Sequence, residues 1–270
     1  MYKRLTAVWL ILSLVLMFGL VACQNGAAKD NSLKSVQDKG EFVLGLDDAF
    51  PPMGFRDANN EIVGFDIDLA KEVCKRMGVT LKIVPIDWSQ KLNELNSGSI
   101  DCIWNGYSID ATRLKETNIT SAYMKNRQVV VVLADSPYQT LADLAGKTLA
   151  VQAESSAVDA LDKAVDFKAS LKEVVELKDN VMVMQELDAK TSDAILLDEI
   201  VANYSIKQKG INYRVLDESL AEEEYGVGFR KNDQALRDEV EKNLKAMAAD
   251  GTLKTISETW FGEDVTVIKG

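Results

Sequence analysis

The sequence has 270 residues, of which 47% are hydrophobic and 27% are charged, a balance typical of a globular protein with one large domain or two smaller ones. Its formal net charge of −11 makes nucleic acid and anionic lipid surfaces poor binding partners. The absence of histidine removes the commonest general base and the commonest zinc ligand, and it excludes a Ser-His-Asp triad. We therefore expect no metal ion and no other cofactor.

The N-terminus has the layout of a secretory signal peptide. Two basic residues precede an apolar run, from Leu5 to Leu20, that is short for a membrane-spanning helix. The run leads into the letters LVAC, ending at Cys23, and this ending resembles the lipobox of bacterial lipoproteins. The resemblance implies removal of residues 1–22, lipid on the Cys23 thiol and a flexible tether over residues 23–36. A plain signal peptide or an uncleaved anchor is the alternative.

The next part of the chain alternates short apolar strands with amphipathic helices. The predicted strands are EFVLGL, VTLKIVPI and SIDCIW, and the predicted helices are FDIDLAKEVCKRMG and WSQKLNELNSG. Alternation of this kind predicts a parallel α/β sheet. The last strand leads into NGYSIDATR, where Asp110 is typical of a helix N-cap.

A second unit of the same kind begins at QVVVVLA. The stretch TLADLAGKTLAVQAESSAVDALDKA predicts a turn, a strand, a loop and a helix; VVELKD and TSDAILLDE predict strands, and NVMVMQELDAK and EIVANYSIK predict helices. Each unit has a strand that begins with Asp, at Asp101 and at Asp193, which is a weak sign of two similar lobes.

The last part of the sequence begins with YGVGFRKND, a predicted strand interrupted by glycine. Two predicted helices follow, DQALRDEVEKNLKAMAADG and TLKTISETWFG. An acidic run, Glu222 to Glu224, precedes this strand, and we interpret it as a solvated loop.

Two cysteines remain once Cys23 is assigned to lipid, and the sequence leaves their pairing open. Cys74 lies on an apolar helix face, which indicates a core position. An oxidising compartment would permit a disulfide with Cys102, but spacing alone does not fix the distance between their Cα atoms. Neither cysteine is typical of a metal site.

Seven stretches resemble the family 3 extracellular solute-binding proteins, which capture polar amino acids for ABC importers. GFDIDLAKEVCKRM resembles the family signature, a glycine and a hydrophobic residue followed by two acidic residues one apart and an apolar helix. The other motifs stand in the family's order: GLDDAFPPMGF, DCIWNGYSIDATR, LADLAGKTLAVQ, SDAILLDE, YGVGFRK and DGTLKTISETWFG. The resemblance covers the whole chain after the signal peptide.

The resemblance implies an α/β protein with the periplasmic-binding-protein type II fold. In this fold two α/β lobes are joined by two crossing strands, and they close by a hinge around a ligand held between them. By alignment with the family, lobe 1 comprises residues 37–124 and 225–270, and lobe 2 comprises residues 125–224.

The resemblance also assigns residues to the carboxylate of an amino-acid ligand. Arg113 matches the family's carboxylate-binding arginine, and a planar guanidinium can hold a carboxylate through two parallel hydrogen bonds. Its place in a first helical turn, where the helix dipole disfavours a cation, suggests that an anion lies close by. Ser155 and Ser156 match a loop that presents N–H groups and hydroxyls to the same carboxylate. A surface arginine and an N-cap serine are the alternatives.

The ammonium group of the ligand is assigned to a second set of residues. Asp198 matches the family's acidic ligand for the ammonium, and its alternative role is a helix N-cap. Ser108 and the backbone at Gly106 would supply further contacts. Asn105 departs from the small residue that the family has at this place, which leaves its contact with ligand open.

A third set of residues matches positions that surround the ligand's side chain. These are Asp47, Phe50 and Trp88, whereas Trp104 is expected in the core. Two aromatic faces can hold a flat or cationic group between them. Asp47 is left as an extra negative charge, and a buried unpaired carboxylate is costly unless a cationic ligand neutralises it.

The sequence therefore predicts a monomeric, lipid-anchored binding protein on the extracytoplasmic face of the bacterial cell membrane. It would bind a free L-amino acid, arginine before lysine or ornithine, and deliver it to an ABC permease. Glutamine or cystine is the alternative ligand. We expect no enzymatic activity; a dehydratase resembling cyclohexadienyl dehydratase and a ligand sensor are the rival functions.

Overall fold

A computed structural model describes residues 30–210 and 212–269 of the protein. The predicted signal peptide and Cys23 lie outside these residues. Within the described ranges, no helix is both long and apolar enough to cross a membrane. Helix α1 (Ser32–Lys39) occupies the last part of the predicted tether, so the tether prediction extends too far. The helix forms there because Val36 is buried, and it ends at Gly40 with a φ of 68°.

The remaining elements follow the predicted alternation closely. Before the middle of the chain they are β1 (Glu41–Leu46), β2 (Ala49–Phe50), β3 (Gly54–Arg56), β4 (Ile62–Val63), α2 (Phe65–Met77), β5 (Thr80–Pro85), α3 (Lys91–Ser97), β6 (Cys102–Ser108), α4 (Arg113–Glu116) and β7 (Thr117–Ile119). After them come β8 (Met124–Leu133), β9 (Thr148–Gln152), α5 (Ser156–Lys163), α6 (Val165–Ser170), β10 (Glu173–Leu177), α7 (Asn180–Asp188), β11 (Ala194–Asp198), α8 (Glu199–Lys209), β12 (Tyr213–Arg230), α9 (Gln234–Asp250) and α10 (Thr252–Phe261).

The main sheet runs in the order β10-β9-β11-β8-β12-β6-β1-β5, with β7 paired to β12. We call β5, β1 and β6 its β1 end, and β11, β9 and β10 its β9 end. Neighbouring strands within each end are parallel, as predicted. The two central strands, β8 and β12, are antiparallel to each other and to their outer neighbours. The prediction of a parallel sheet is therefore wrong at the centre, because these strands carry the chain between the two ends.

The acidic run Glu222 to Glu224 is not a loop. It lies within β12 and pairs with β8, where Glu223 is opposite Asn126. Successive side chains of a strand point to opposite faces, so Glu222 and Glu224 are exposed whereas Glu223 is half-buried. Strand pairing thus separates three neighbouring glutamates into two environments.

The two ends of the sheet repeat one hydrogen bond that involves the aspartates noted in the sequence. Asp101, just before β6, accepts a bond from the backbone N–H of Val43 at 2.8 Å. Asp193, just before β11, accepts one from the backbone N–H of Thr148 at 3.0 Å. In both cases the donor belongs to the neighbouring parallel strand, which supports the similarity between the halves.

The core extends through both ends of the sheet and includes both remaining cysteines. Cys74 and Cys102 are buried free thiols, which answers the open question of their pairing. Burial raises the pKa of the Cys74 thiol to about 12, so this group stays protonated. Trp104 is fully buried, as expected.

Candidate ligand-binding site

A small cavity is lined by residues from both ends of the sheet. Nine of the ten residues predicted to bind ligand line it: Asp47, Phe50, Trp88, Asn105, Gly106, Arg113, Ser155, Ser156 and Asp198. Gln152, which the sequence analysis did not single out, completes the lining, whereas Ser108 lies beside it. The fold therefore gathers charged, polar and aromatic residues that are far apart in the sequence around one cavity.

Strand ends explain why these residues meet. Asp47 directly follows β1, whereas Gln152 and Asp198 are the last residues of β9 and β11. Ligands of α/β proteins bind at the carboxyl ends of parallel strands, where side chains from several strands converge. The cavity occupies this position for both ends of the sheet.

Arg113 is buried at the start of a short helix. Asp110 caps this turn, because its Oδ1 accepts bonds from the N–H groups of Thr112 and Arg113 at 2.7 and 2.8 Å. The second oxygen of Asp110 lies 3.5 Å from Arg113 Nε, which makes Asp110 a partial partner for the cation. The guanidinium stacks on Tyr107, 4.4 Å from the ring centroid, and Nη1 donates to the Ser108 carbonyl at 3.3 Å. Most of its donors remain available to a carboxylate.

Gly106 has a backbone conformation that requires glycine, with a φ of 55°. A Cβ atom there would lie 2.8 Å from the Phe50 ring and 3.1 Å from the Tyr225 ring. The N–H of Gly106 donates to Asp66 at 2.7 Å, and the Tyr123 hydroxyl donates to the same carboxyl at 2.8 Å. Burial raises the pKa of Asp66 to about 7. The first acid of the FDIDLA motif thus holds the Gly106 backbone in place.

Asn105 is a buried residue of the cavity lining with one amide hydrogen bond. Its Oδ1 accepts a bond from the N–H of Asp47 at 3.1 Å, which fixes the orientation of the amide. Its Nδ2 is buried and has no hydrogen-bond partner among the described residues. A buried unsatisfied donor is uncommon and costly.

The carboxylate of Asp47 is satisfied by neutral groups. One oxygen accepts a bond from the N–H of Ala49 at 2.9 Å, and the other accepts a bond from Gln152 Nε2 at 2.8 Å. Burial raises the pKa of Asp47 to about 6, although both hydrogen bonds act in the opposite direction. Within the described part of the chain, Asp47 has no salt bridge.

Gln152 is held rigidly at the opposite wall. Its Nε2 donates to Asp47 and lies 3.2 Å from the Lys178 carbonyl, whereas its Oε1 accepts a bond from Asn180 Nδ2 at 2.9 Å. The only sequence signal for Gln152 was its position, as a polar residue at the carboxyl end of a buried strand.

Phe50 and Trp88 supply the aromatic part of the lining, and both rings are largely buried. The Trp88 ring lies edge-on to Tyr107, with 6.3 Å between centroids, and the Arg113 guanidinium carbon lies 6.0 Å from its centre. Trp88 therefore lies next to the carboxylate-binding candidate, Arg113.

Lys91 is a buried cation that the sequence analysis missed. Its Nζ lies 5.2 Å from the centre of the Trp88 ring and donates to the Glu154 carbonyl at 2.9 Å. This second contact joins the β1 end of the sheet to the β9 end. Burial, and then the nearby Arg113 cation, lowers the pKa of Lys91 to about 8.

The two predicted serines lie at the N-terminus of α5 but differ in their contacts. Ser155 occupies the N-cap position, yet its hydroxyl donates to the Gln152 carbonyl at 2.7 Å instead of capping the helix. Ser156 Oγ accepts bonds from Ser108 Oγ at 3.1 Å and from Gln128 Nε2 at 3.2 Å. First-turn N–H groups of a helix have no intrahelical partner, so they can bind an anion.

Asp198 is buried in a network of neutral donors. Its Oδ1 accepts bonds from Asn126 Nδ2 at 2.7 Å, Gln128 Nε2 at 2.8 Å and the Tyr225 hydroxyl at 2.5 Å. Its side chain makes no helix-cap bond, although it precedes α8. Burial, and then the neighbouring Glu223 carboxylate, raises the pKa of Asp198 to about 7.

Glu223 reaches the same network from β12. Its Oε2 lies 3.0 Å from Ser108 Oγ, 3.0 Å from Gln128 Nε2 and 3.2 Å from Asn126 Nδ2. No sequence signal separated Glu223 from its two acidic neighbours. Asn126 and Gln128 alternate with Lys125 and Arg127 at the start of β8, and strand alternation places the two amides on the same face.

The fold and the cavity between two α/β halves define a type II periplasmic binding protein. A family model for the bacterial extracellular solute-binding proteins, family 3, matches residues 42–263. The chain belongs to this family, which captures amino acids for ABC transporters.

The names of similar proteins and solved structures mention different amino acids. The L-cystine-binding protein TcyJ of Escherichia coli (strain K12) is 29% identical over 88% of this chain and 89% of its own length. A structure named Tv2483, bound to L-arginine, is 34% identical with a TM-score of 0.85 and covers 88% of this chain and 98% of its own. A Streptococcus pneumoniae substrate-binding protein with bound histidine is 35% identical with a TM-score of 0.86, covering 89% and 100%.

Proposed function

We propose that this protein binds a basic amino acid outside the cell, arginine before lysine or ornithine, and delivers it to an ABC importer. The observation that carries the choice of ligand is the charge of the cavity. Asp47 and Asp198 face it together with one guanidinium, that of Arg113, and within the described residues Asp47 has no salt bridge. A ligand with two positive charges and one negative charge matches this arrangement.

Each charge of arginine has a candidate partner in the cavity. Arg113 takes the carboxylate, and Asp198 takes the α-ammonium. Asp47 takes the guanidinium, which removes the cost of a buried carboxylate without a cation. Phe50 and Trp88 can stack on the guanidinium plane and add about 0.5–2 kcal/mol by cation–π contact.

Glutamine is the second candidate ligand, and a specific contact favours it. The Gln152 amide already donates to Asp47, so a neutral amide can satisfy this carboxylate. Cystine remains an alternative through the resemblance to the L-cystine-binding relative.

We propose that binding closes two lobes, lobe 1 over residues 37–124 and 225–270 and lobe 2 over residues 125–224. Two contacts that join them in this structure support the idea, Gln152 to Asp47 and Lys91 to the Glu154 carbonyl. A ligand that adds further contacts to both lobes would favour the closed form.

We further propose that the protein acts as a monomer without enzymatic activity, anchored to the outer face of the cell membrane by lipid on Cys23. The family match and the binding-protein relatives support delivery to an ABC permease.

Replacement of Cys23 by Ala should abolish palmitate labelling and release the protein from the membrane fraction. Retention of lipid in this variant would contradict the anchor.

Titration calorimetry of the purified protein tests the ligand proposal. Arginine, lysine, ornithine, histidine, glutamine and cystine are titrated separately, and arginine is expected to bind most tightly. Binding of glutamine or cystine with no response to arginine would overturn the choice of a basic ligand. Turnover of a bound acid, followed by chromatography, would overturn the non-enzymatic role.

A further inference from the structure

Glu223 and Asp198 form a carboxylate pair that is bridged by two amides. Asn126 Nδ2 lies 2.7 Å from Asp198 Oδ1 and 3.2 Å from Glu223 Oε2. Gln128 Nε2 lies 2.8 Å and 3.0 Å from the same two oxygens. Because each amide nitrogen contacts both carboxylates, the two acidic groups are immediate neighbours.

The position of Glu223 connects the pair to both sides of the cavity. Glu223 belongs to central strand β12, and its Oε2 also lies 3.0 Å from Ser108 Oγ on β6 and 3.4 Å from Ser156 Oγ on α5. Ser108 was assigned to the ligand's ammonium by the family resemblance, and Ser156 lines the cavity. Glu223 therefore lies directly behind the groups expected to surround the ammonium.

Two adjacent carboxylates in a buried site cannot both ionise cheaply unless a cation or a proton lies between them. The charged or titratable groups around the pair are Arg113, whose cation favours ionisation of Asp198, and the Tyr225 hydroxyl, which donates to Asp198. These two groups lower the pKa of Asp198, but burial and the Glu223 carboxylate raise it by more. The pKa of Asp198 is therefore still raised to about 7. Asp198 therefore binds a proton more readily in the empty protein than an exposed aspartate does.

We propose that Glu223 is a positioning residue of the amino-acid site, which favours the protonated form of Asp198 in the empty protein, so that Asp198 releases a proton when the ligand's ammonium binds. The exchange is balanced: protonated Asp198 and the ammonium ion give ionised Asp198 with its bound ammonium and one proton in solution. This inference rests on the proposed binding of an amino acid at Asp198, and it adds a pH dependence to that binding.

Proton release on binding is the decisive measurement. Arginine is titrated into the purified protein at pH 7 in buffers with different ionisation enthalpies, which gives the number of protons released; glutamine is used if arginine does not bind. The wild-type protein should release more protons than the Glu223→Gln variant. The affinity of the wild-type protein should rise about tenfold between pH 6 and pH 8, and that of the variant should rise less.

Matched controls come from the same strand. Glu222→Gln and Glu224→Gln each remove one negative charge from an exposed neighbour, and both should release protons as the wild type does. Asp47 also titrates near this pH, but its contribution is common to all these proteins and cancels in the comparison. The difference between Glu223→Gln and the two controls therefore isolates the carboxylate pair.

The outcomes separate this inference from the proposed function. Binding by the wild type with no proton release between pH 6 and pH 8 overturns the role of the pair, whether or not the variant folds. Equal release by wild type and Glu223→Gln overturns the role of Glu223 alone. Failure of the wild type to bind any amino acid overturns the proposed function, and the ammonium exchange with it.

Discussion

Gln152 Nε2 lies 2.8 Å from Asp47 Oδ2, although 105 positions of sequence separate the two residues. The contact joins the carboxyl end of β9 to the residue after β1 and so crosses the cavity from one side to the other. It places a buried carboxylate opposite a fixed amide, in the part of the cavity assigned to the ligand's side chain. This relationship makes Asp47 the first residue to test.

Asp47→Asn should weaken arginine binding by about tenfold or more and change glutamine binding little. A hydrogen bond to a charged group contributes about 1.5–3 kcal/mol, and only arginine brings a side-chain cation to Asp47. Dissociation constants from calorimetry provide the comparison. Asp48→Asn is the control, because Asp48 pairs instead with Arg56 at 2.6 Å. An equal loss for both ligands would contradict the role of Asp47 in selecting charge.

Arg113→Ala should weaken binding of any amino acid by about a hundredfold or more, because two charge-assisted hydrogen bonds to the carboxylate are lost. The control is Lys115→Ala, which removes an exposed cation from the same short helix. Circular dichroism establishes that both variants are folded, and calorimetry measures their affinities. Normal binding by Arg113→Ala would contradict the assignment of Arg113 to the ligand's carboxylate.

Asp198→Asn should stabilise the empty protein at pH 8 while it weakens ligand binding. The folded protein binds the Asp198 proton more tightly than the unfolded chain does, because burial raises its pKa to about 7. The stability that neutral Asp198 contributes is complete below about pH 4 and is lost as the pH rises through 7. Asparagine is neutral at every pH, so the penalty for a buried charge at pH 8 disappears.

Thermal unfolding without ligand measures this effect. The variant should melt a few degrees above the wild type at pH 8, at about 2–4 °C for each kcal/mol, and the difference should shrink at pH 5. Burial raises the pKa of Glu241, but hydrogen bonds from Lys245 and Ser121 outweigh it and lower the pKa to about 2. Glu241 is therefore ionised at both pH 5 and pH 8 and does not contribute to the change in melting temperature between them. A difference in melting temperature that is the same at both pH values would contradict the ionisation argument.

Lys91→Met should weaken ligand binding by about threefold to tenfold, since a charged hydrogen bond between the two sides of the cavity is lost while the packing on Trp88 is kept. Lys82→Met, at an exposed position of β5, is the control. Small-angle scattering with saturating ligand should detect a larger radius of gyration for Lys91→Met than for the control if closure is impaired. Identical affinities and radii in both variants would show that the contact is dispensable.

Local sequence patterns were sufficient to predict most helices and strands, because their apolar spacing is a property of neighbouring residues. The turn at Asp110 also follows from local chemistry, whereas the rings that exclude a side chain at Gly106, Phe50 and Tyr225, are brought there by the fold. The ligand assignments came from the family resemblance, and the fold places nine of those ten residues around one cavity. Their roles in binding await the variants described above.

The sequence by itself determined the order of elements, the family and the candidate charges at Arg113, Asp47 and Asp198. Only the tertiary structure decided which neutral and acidic groups surround those charges. Glu223 faces the network at Asp198 because β12 pairs with β8 in one register, and a shift by one residue would turn it to the opposite face. Gln152 meets Asp47 because two distant strands end at the same cavity. Pairing across long separations depends on the packing of the whole chain, which no local pattern encodes.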